Sequence, residues 1–282
     1  MPIEVALEIG HRTDVGRRRD HNEDCLGVYR PHLRDEIEHR GTLLAVADGM
    51  GGYAAGEVAS HKAIEVIVET FYGDLDGGIE SSLRRALIRA NEAVREEAGK
   101  DSERAGMGTT IAVAVICDGD VIVANVGDSR VYLARGGELK QLSHDHSWVQ
   151  ELLEDGKITP EEAKRHPMRN VITRSLGGRP EVEPETQPRR RLQDGDTILI
   201  CSDGLWGMVP ADRILELVLR EPVQSAADAL IDAANEAGGH DNVTAVVCRI
   251  LNSGYDDYDD DATEQLEPFQ LQDTQPIPRI DV

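Results

Sequence analysis

The sequence predicts an α+β layered domain in which stacked antiparallel sheets are flanked by helices. Three observations carry this expectation. Five short runs rich in Val, Ile, Leu and Ala read as strands, two of those runs lie too close together to be parallel, and three longer segments carry apolar residues along one helical face.

The strand-like runs are TLLAVAD (42–48), TTIAVAVIC (109–117), VIVANVG (121–127), TILICSD (197–203) and VTAVVCR (243–249). Their nearly unbroken apolar character implies burial on both faces, a pattern commonest in parallel sheets. Only Asp118, Gly119 and Asp120 separate the second run from the third, however, and so short a connection permits only an antiparallel hairpin. Antiparallel strands buried on both faces need a cover on each side. Residues 57–71 supply one, with Ala59, Ala63, Ile67 and Phe71 at four-residue spacing. Residues 79–98 supply a second, with Leu83, Leu87, Ala90 and Val94 along one stripe, and residues 226–237 a third.

With 282 residues, 40% of them hydrophobic, the chain can bury a sizeable core. It has no run of 18 apolar residues, and MPIEVALEIG lacks the basic and apolar regions of a secretory leader, so a cytoplasmic location is expected. A formal charge of −23 argues against nucleic acid and anionic membranes as partners. Cys25, Cys117, Cys201 and Cys248 share no C-x-x-C spacing and read as buried, reduced thiols. Residues 146–178 turn polar and helical between core strands and read as a flap within a catalytic unit spanning 1–252. The stretch 253–282 holds nine acids against one base with no helical period, and reads as an acidic, disordered tail.

Aspartates recur where the apolar runs end, so that a sheet can present them together at one edge. Asp48 closes TLLAVAD, Asp128 follows VIVANVG, Asp203 closes TILICSD, Asp241 precedes VTAVVCR and Asp24 precedes CLGVY. Each one alone also reads as a helix cap or turn residue. Together, with Gly49, Gly51, Gly52, Gly127 and Gly204 beside them, they offer what hard cations require: carboxylate oxygens on rigid elements, with water completing the octahedral shell of magnesium or manganese.

The motifs GRRRDHNED (16–24), VADGMGG (46–52), GMGTT (106–110), GDSR (127–130), CSDGLW (201–206) and GGHDNVT (238–244) resemble, in order, those of the type-2C metal-dependent protein phosphatases, the PPM family, in its bacterial form. That resemblance implies a four-layer αββα sandwich of two antiparallel β-sheets flanked by helices. It also implies hydrolysis of phosphoserine and phosphothreonine monoesters by a water bridging two divalent cations, Mn2+ or Mg2+. Asp48 would bridge both cations, the Gly49 carbonyl would bind one, and Asp203 and Asp241 the other. Asp128 with Asp203 would form a weaker third metal site, Glu23 and Asp24 would accept from metal-bound waters, and Arg19 would grip the phosphoryl group. The implied partners are phosphoproteins, among them a serine/threonine kinase, and the enzyme is expected to be a monomer.

The sequence departs from the family pattern at the general acid, because Met50 and Tyr53 occupy positions where many members carry histidine. His240 beside Asp241 is a candidate, and also reads as an ordinary loop residue. Two other functional classes compete with the active enzyme: a catalytically inactive phosphoprotein-binding module of the same fold, and an acidic calcium-buffering or scaffold protein. The complete aspartate set argues against the first, and the ordered motifs against the second. In the tail, DATEQLEP (261–268) and QDTQPIP (272–278) each set a threonine, Thr263 or Thr274, near an acid with Leu266 or Ile277 three residues on. This pattern resembles ligands of forkhead-associated domains, and reads equally as a solubilising tail.

Overall fold

The computed structural model describes residues 6–30, 40–51, 55–73 and 77–251, all within the unit Met1–Asn252. It begins with β1 (Ala6–Asp14), β2 (Asp24–Tyr29) and β3 (Thr42–Met50), followed by helices α1 (Ala55–Gly73) and α2 (Ile79–Ala98). After a short 3-10 turn come β4 (Gly108–Thr109), β5 (Ile111–Cys117), β6 (Asp120–Val126), β7 (Arg130–Arg135) and β8 (Glu138–Gln141). The segment 146–178 holds α3 (Trp148–Glu154) and α4 (Pro160–Arg165). The chain then forms β9 (Glu185–Thr186), β10 (Arg190–Arg191), β11 (Thr197–Cys201), α5 (Asp203–Trp206), α6 (Ala211–Val218), α7 (Val223–Glu236) and β12 (Val243–Leu251).

Two antiparallel sheets result. One has the order β1-β12-β11-β7-β8. The other has β10-β6-β5-β3-β2, with β4 pairing β3 and β9 pairing β6. Successive strand residues face opposite ways, and the apolar runs use both directions. Leu43, Ala45 and Ala47 of β3 pack with Phe71 of α1 and Leu83 of α2, while Leu44 and Val46 face the layer shared with Ile198 and Ile200 of β11 and Val246 of β12. On the far side, Leu199 and Cys201 pack with Leu217 of α6 and Leu230 of α7. Three apolar layers therefore separate four layers of structure, which explains runs with no polar alternation in antiparallel strands.

The β5–β6 hairpin is tighter than its sequence implies. Asp120 pairs with Cys117, so the turn is only Asp118-Gly119, both at positive φ (51° and 72°). That geometry matches the primed turns that twist with the strands, and Asp-Gly suits it. Two expectations about boundaries shift. The strand at 42–48 continues through Gly49 and Met50, because those residues pair with Thr109 and Gly108 of β4. Asp203 does not end a strand but opens α5, since β11 stops at Cys201. Cys25 is half-buried rather than buried, while the other three cysteines are buried, and all four are free thiols. No described helix is long and apolar enough to cross a membrane.

Candidate active site

Five aspartates converge at one edge of the sandwich from both sheets. Asp24 starts β2 and pairs in register with Asp48 of β3. Asp203 heads α5 after β11, Asp241 precedes β12, and Asp128 sits in the bend between β6 and β7. Their electrostatics show how close they lie. The Asp48 carboxyl hydrogen-bonds to that of Asp203, and Asp48 feels the charges of Asp24, Asp203, Asp128 and Asp241. Burial first, then this mutual repulsion, pushes Asp48 well above the usual carboxylate range. The same causes raise Asp128 to about 8, with Asp203 as its first repelling neighbour.

The backbone around Asp48 is pinned by the GMGTT segment. Thr110 N–H donates to the Asp48 carbonyl at 2.9 Å and Asp48 N–H donates to Thr110 Oγ1 at 3.1 Å. Thr109 Oγ1 donates to the same Asp48 carbonyl at 2.9 Å, and Thr110 Oγ1 lies 2.7 Å from Ser129 Oγ. Gly49 has no room for a side chain, since a Cβ there would stand 2.1 Å from the Gly56 carbonyl oxygen. That close approach seats the start of α1 directly on β3.

Asp24 is held from the other sheet. Ser202 Oγ and Thr244 Oγ1 each donate to its Oδ2 at 2.7 Å, while its buried Oδ1 has no hydrogen-bond partner among the described residues. A buried carboxylate oxygen left bare is costly unless a proton or a cation meets it. The donor set therefore fits hard divalent cations: it is all carboxylate, clustered and desolvated, with the repulsion that cations of high charge density relieve.

Arg19 lies on the loop between β1 and β2 and donates to Asp241 Oδ2 at 2.8 Å. Its hydrogen bond to Asp241 raises its pKa most of all, and the charges of Asp241, Glu23 and Asp48 raise it further. The loop is fixed by Asn242, whose Oδ1 accepts from Glu23 N–H at 2.8 Å and whose Nδ2 donates to the carbonyls of Val15 (3.0 Å) and His21 (2.8 Å). Gly16, at φ 82°, lets the chain pass against the Asp241 carbonyl, where a Cβ would stand at 2.2 Å. Burial raises the Glu23 pKa and Arg19 lowers it. Arg17 and Arg18 are exposed, as surface charges should be.

The GDSR arginine has a structural task. Arg130 forks onto Asp145 (Nε to Oδ1 at 3.0 Å, Nη2 to Oδ2 at 2.6 Å) and stacks 3.5 Å over Trp206, whose Nε1–H donates to the Asp128 carbonyl at 3.0 Å. Sequence reasoning missed Thr110, Ser129, Ser202, Thr244 and Asn242 as supports. Only their place inside the acidic motifs hinted at them. Met50 is a half-buried strand residue and His240 is exposed on its loop, while Tyr53, Thr263 and Thr274 lie outside the described residues. A separate group, His144, His146 and Glu185, brings one donor atom each within 4.8 Å of one another. Gly127 N–H donates to His146 Nδ1 at 3.0 Å and Arg174 Nη1 lies 3.3 Å from its Nε2, so both ring nitrogens of His146 already face donors and it makes a poor ligand.

The layered sandwich and its desolvated carboxylate edge define a class: an αββα protein built around a site for hard cations. The family described as protein phosphatase 2C matches residues 32–248. The serine/threonine phosphatase Stp of Listeria monocytogenes is 39% identical over 243 residues, 84% of this chain and 93% of that protein. Among solved structures, the serine/threonine phosphatase PstP of Mycobacterium tuberculosis matches with a TM-score of 0.78 at 39% identity, over 88% of this chain and 100% of that one. A structure of the PstP catalytic domain in complex with 2 manganese ions matches with a TM-score of 0.76 at 38% identity, again over 88% and 100%. The chain belongs to the protein phosphatase 2C family.

Proposed function

We propose that this chain is a metal-dependent serine/threonine protein phosphatase that hydrolyses phosphoserine and phosphothreonine monoesters. The observation that carries the proposal is the convergence of Asp24, Asp48, Asp128, Asp203 and Asp241 from both sheets, with burial and repulsion by neighbouring acids raising the first four above the usual carboxylate range. When bound, two divalent cations, manganese or magnesium, lower the pKa of a water toward neutrality and offset phosphoryl charge. Asp48 would bridge them. The Gly49 carbonyl would serve one, Asp203 and Asp241 the other, and Asp128 with Asp203 would form a weaker third site. Glu23 and Asp24 would accept from coordinated waters, with Ser202 and Thr244 holding Asp24 in its orientation.

Arg19 binds two phosphoryl oxygens through its planar fork, exchanging Asp241 for the substrate. No side chain is assigned as general acid: Met50 has no proton to give, and His240 is an exposed loop residue. The catalytic unit is residues 1–252, acting as a cytoplasmic monomer on phosphoproteins that include a serine/threonine kinase. The tail, 253–282, docks a forkhead-associated partner when Thr263 or Thr274 is phosphorylated. Binding of such domains to synthetic tail peptides only when phosphorylated tests that last reading.

Hydrolysis of p-nitrophenyl phosphate with saturating manganese, with and without chelator, tests the activity. Turnover that vanishes with chelator and returns with metal is expected. Phosphopeptide binding without any turnover would instead favour the inactive binding module.

A further inference from the structure

In a chain of net charge −23, residues 163–180 carry five bases, Lys164, Arg165, Arg169, Arg174 and Arg179, and no acid. This reversal falls on the last half of the flap, which is tied to the carboxylate edge at two points. His146 exchanges hydrogen bonds with Gly127, next to Asp128: its N–H donates to the Gly127 carbonyl at 2.9 Å, and Gly127 N–H donates to its Nδ1 at 3.0 Å. Leu176 exchanges backbone hydrogen bonds with Thr109 at 2.9 and 3.0 Å, and Thr109 pairs with Gly49. Beside the second tie lies an open groove of about 710 Å³ whose lining includes Arg174, Arg179, Glu181 and Glu183.

Neither Arg174 nor Arg179 has a carboxylate partner among the described residues, whereas Arg19, Arg130 and Arg135 are each paired with aspartate. Trp148, Met168 and Val171, three of the five large apolar side chains exposed among the described residues, lie on the same flap. Guanidinium groups without a carboxylate partner, on a segment that also exposes apolar side chains and is tied to a site that takes phosphorylated side chains, suit an acidic stretch of polypeptide. Elsewhere the acidic surface repels such a stretch, so the groove also fixes where it lands.

We propose that Arg174 and Arg179 of this groove dock acidic residues flanking the phosphorylated residue of a protein substrate, which makes acidic phosphoproteins the preferred substrate class. This rests on the phosphatase reading above, and its test keeps the two apart. Equilibrium binding is measured by fluorescence anisotropy with three phosphothreonine peptides that differ only in carrying Glu, Gln or Lys on both flanks. Exposed ion pairs are each worth a few-fold at most, so two of them give about a five- to tenfold tighter Kd for the Glu peptide than for the Lys peptide, shrinking toward equality at high salt. The R174E/R179E protein should reverse the order, and the milder R174Q/R179Q protein should bring the ratio near one.

Equal binding of the three peptides, or tighter binding of the Lys peptide through Glu181 and Glu183, overturns the docking proposal whatever the outcome with p-nitrophenyl phosphate. Binding of phosphatidylserine vesicles with no peptide preference would give the basic face to a membrane and overturn it as well. Failure of wild-type protein to hydrolyse p-nitrophenyl phosphate with manganese bears on the phosphatase reading alone.

Discussion

Asp48 and Asp203 share a hydrogen bond at the centre of five acids, so an amide at either position removes a charge that a cation needs while keeping the shape. We predict that Asp48→Asn or Asp203→Asn lowers turnover by several powers of ten at saturating manganese, as expected when activation of the water is lost. A near wild-type rate in either variant would contradict the assignment. Arg19 differs, because the phosphate it binds is charged before the reaction starts. Arg19→Ala should therefore raise KM for phosphopeptides more than it lowers kcat, and steady-state kinetics that leave KM unchanged would count against it. That the five aspartates gather at one edge was legible in the sequence, because they recur at the ends of apolar runs and Asp48, Asp128 and Asp203 each adjoin a glycine. The hydroxyls of Ser202 and Thr244, which meet at Asp24 from 178 and 220 residues away, were not, since nothing local distinguishes them from other serine and threonine hydroxyls.

Among the elements, buried strands and amphipathic helices were legible because their patterns follow from burial on two faces or one. All eight residues named for the stripes of the first two helices are fully buried. Edge strands left weaker traces: β1 pairs with β12 along its length, yet its burial is mostly partial and its residues ALEIGHRTD mix polar and apolar. Within 146–178, helices occupy only the first two thirds. There, α4 is set by local chemistry, with Pro160 at the start and Thr159 and Glu162 capping each other. What no local pattern carries is the joining of one loop to another. Asn242 pins the Arg19 loop with three side-chain hydrogen bonds from a buried position, and its removal leaves their partners without it. Asn242→Ala is predicted to cost about 2–4 kcal/mol, read as a lower urea midpoint, and to raise KM for phosphopeptides by loosening Arg19. Loss of stability with KM unchanged would show that the loop keeps its place by other means.

For the whole molecule, the carboxylate edge sets how stability depends on pH and metal. Burial and repulsion raise Asp203 to about 6, Asp24 to about 7 and Asp128 to about 8, with Asp48 also well above its ordinary value. Unfolded aspartates titrate near 4, so between about pH 4 and 8 the metal-free folded state holds more protons than the unfolded chain. Stability then falls as pH rises through that range. His146 opposes this at the acid end: burial, Arg174 and His144 lower it to about 4, so its contribution grows with pH up to the unfolded value of about 6.5. The clean window is therefore pH 6.5 to 8. There, metal-free protein should melt at a lower temperature at pH 8 than at pH 6.5. Saturating manganese should raise Tm most at pH 8 and flatten or reverse the slope, because a cation stabilises the ionised carboxylates that burial penalises. Thermal unfolding by circular dichroism, with chelator and with manganese at both pH values, reads this directly. A metal-free protein that is more stable at pH 8 than at pH 6.5 would mean that these acids are already ionised without metal, and that the edge is not the desolvated cluster its geometry describes.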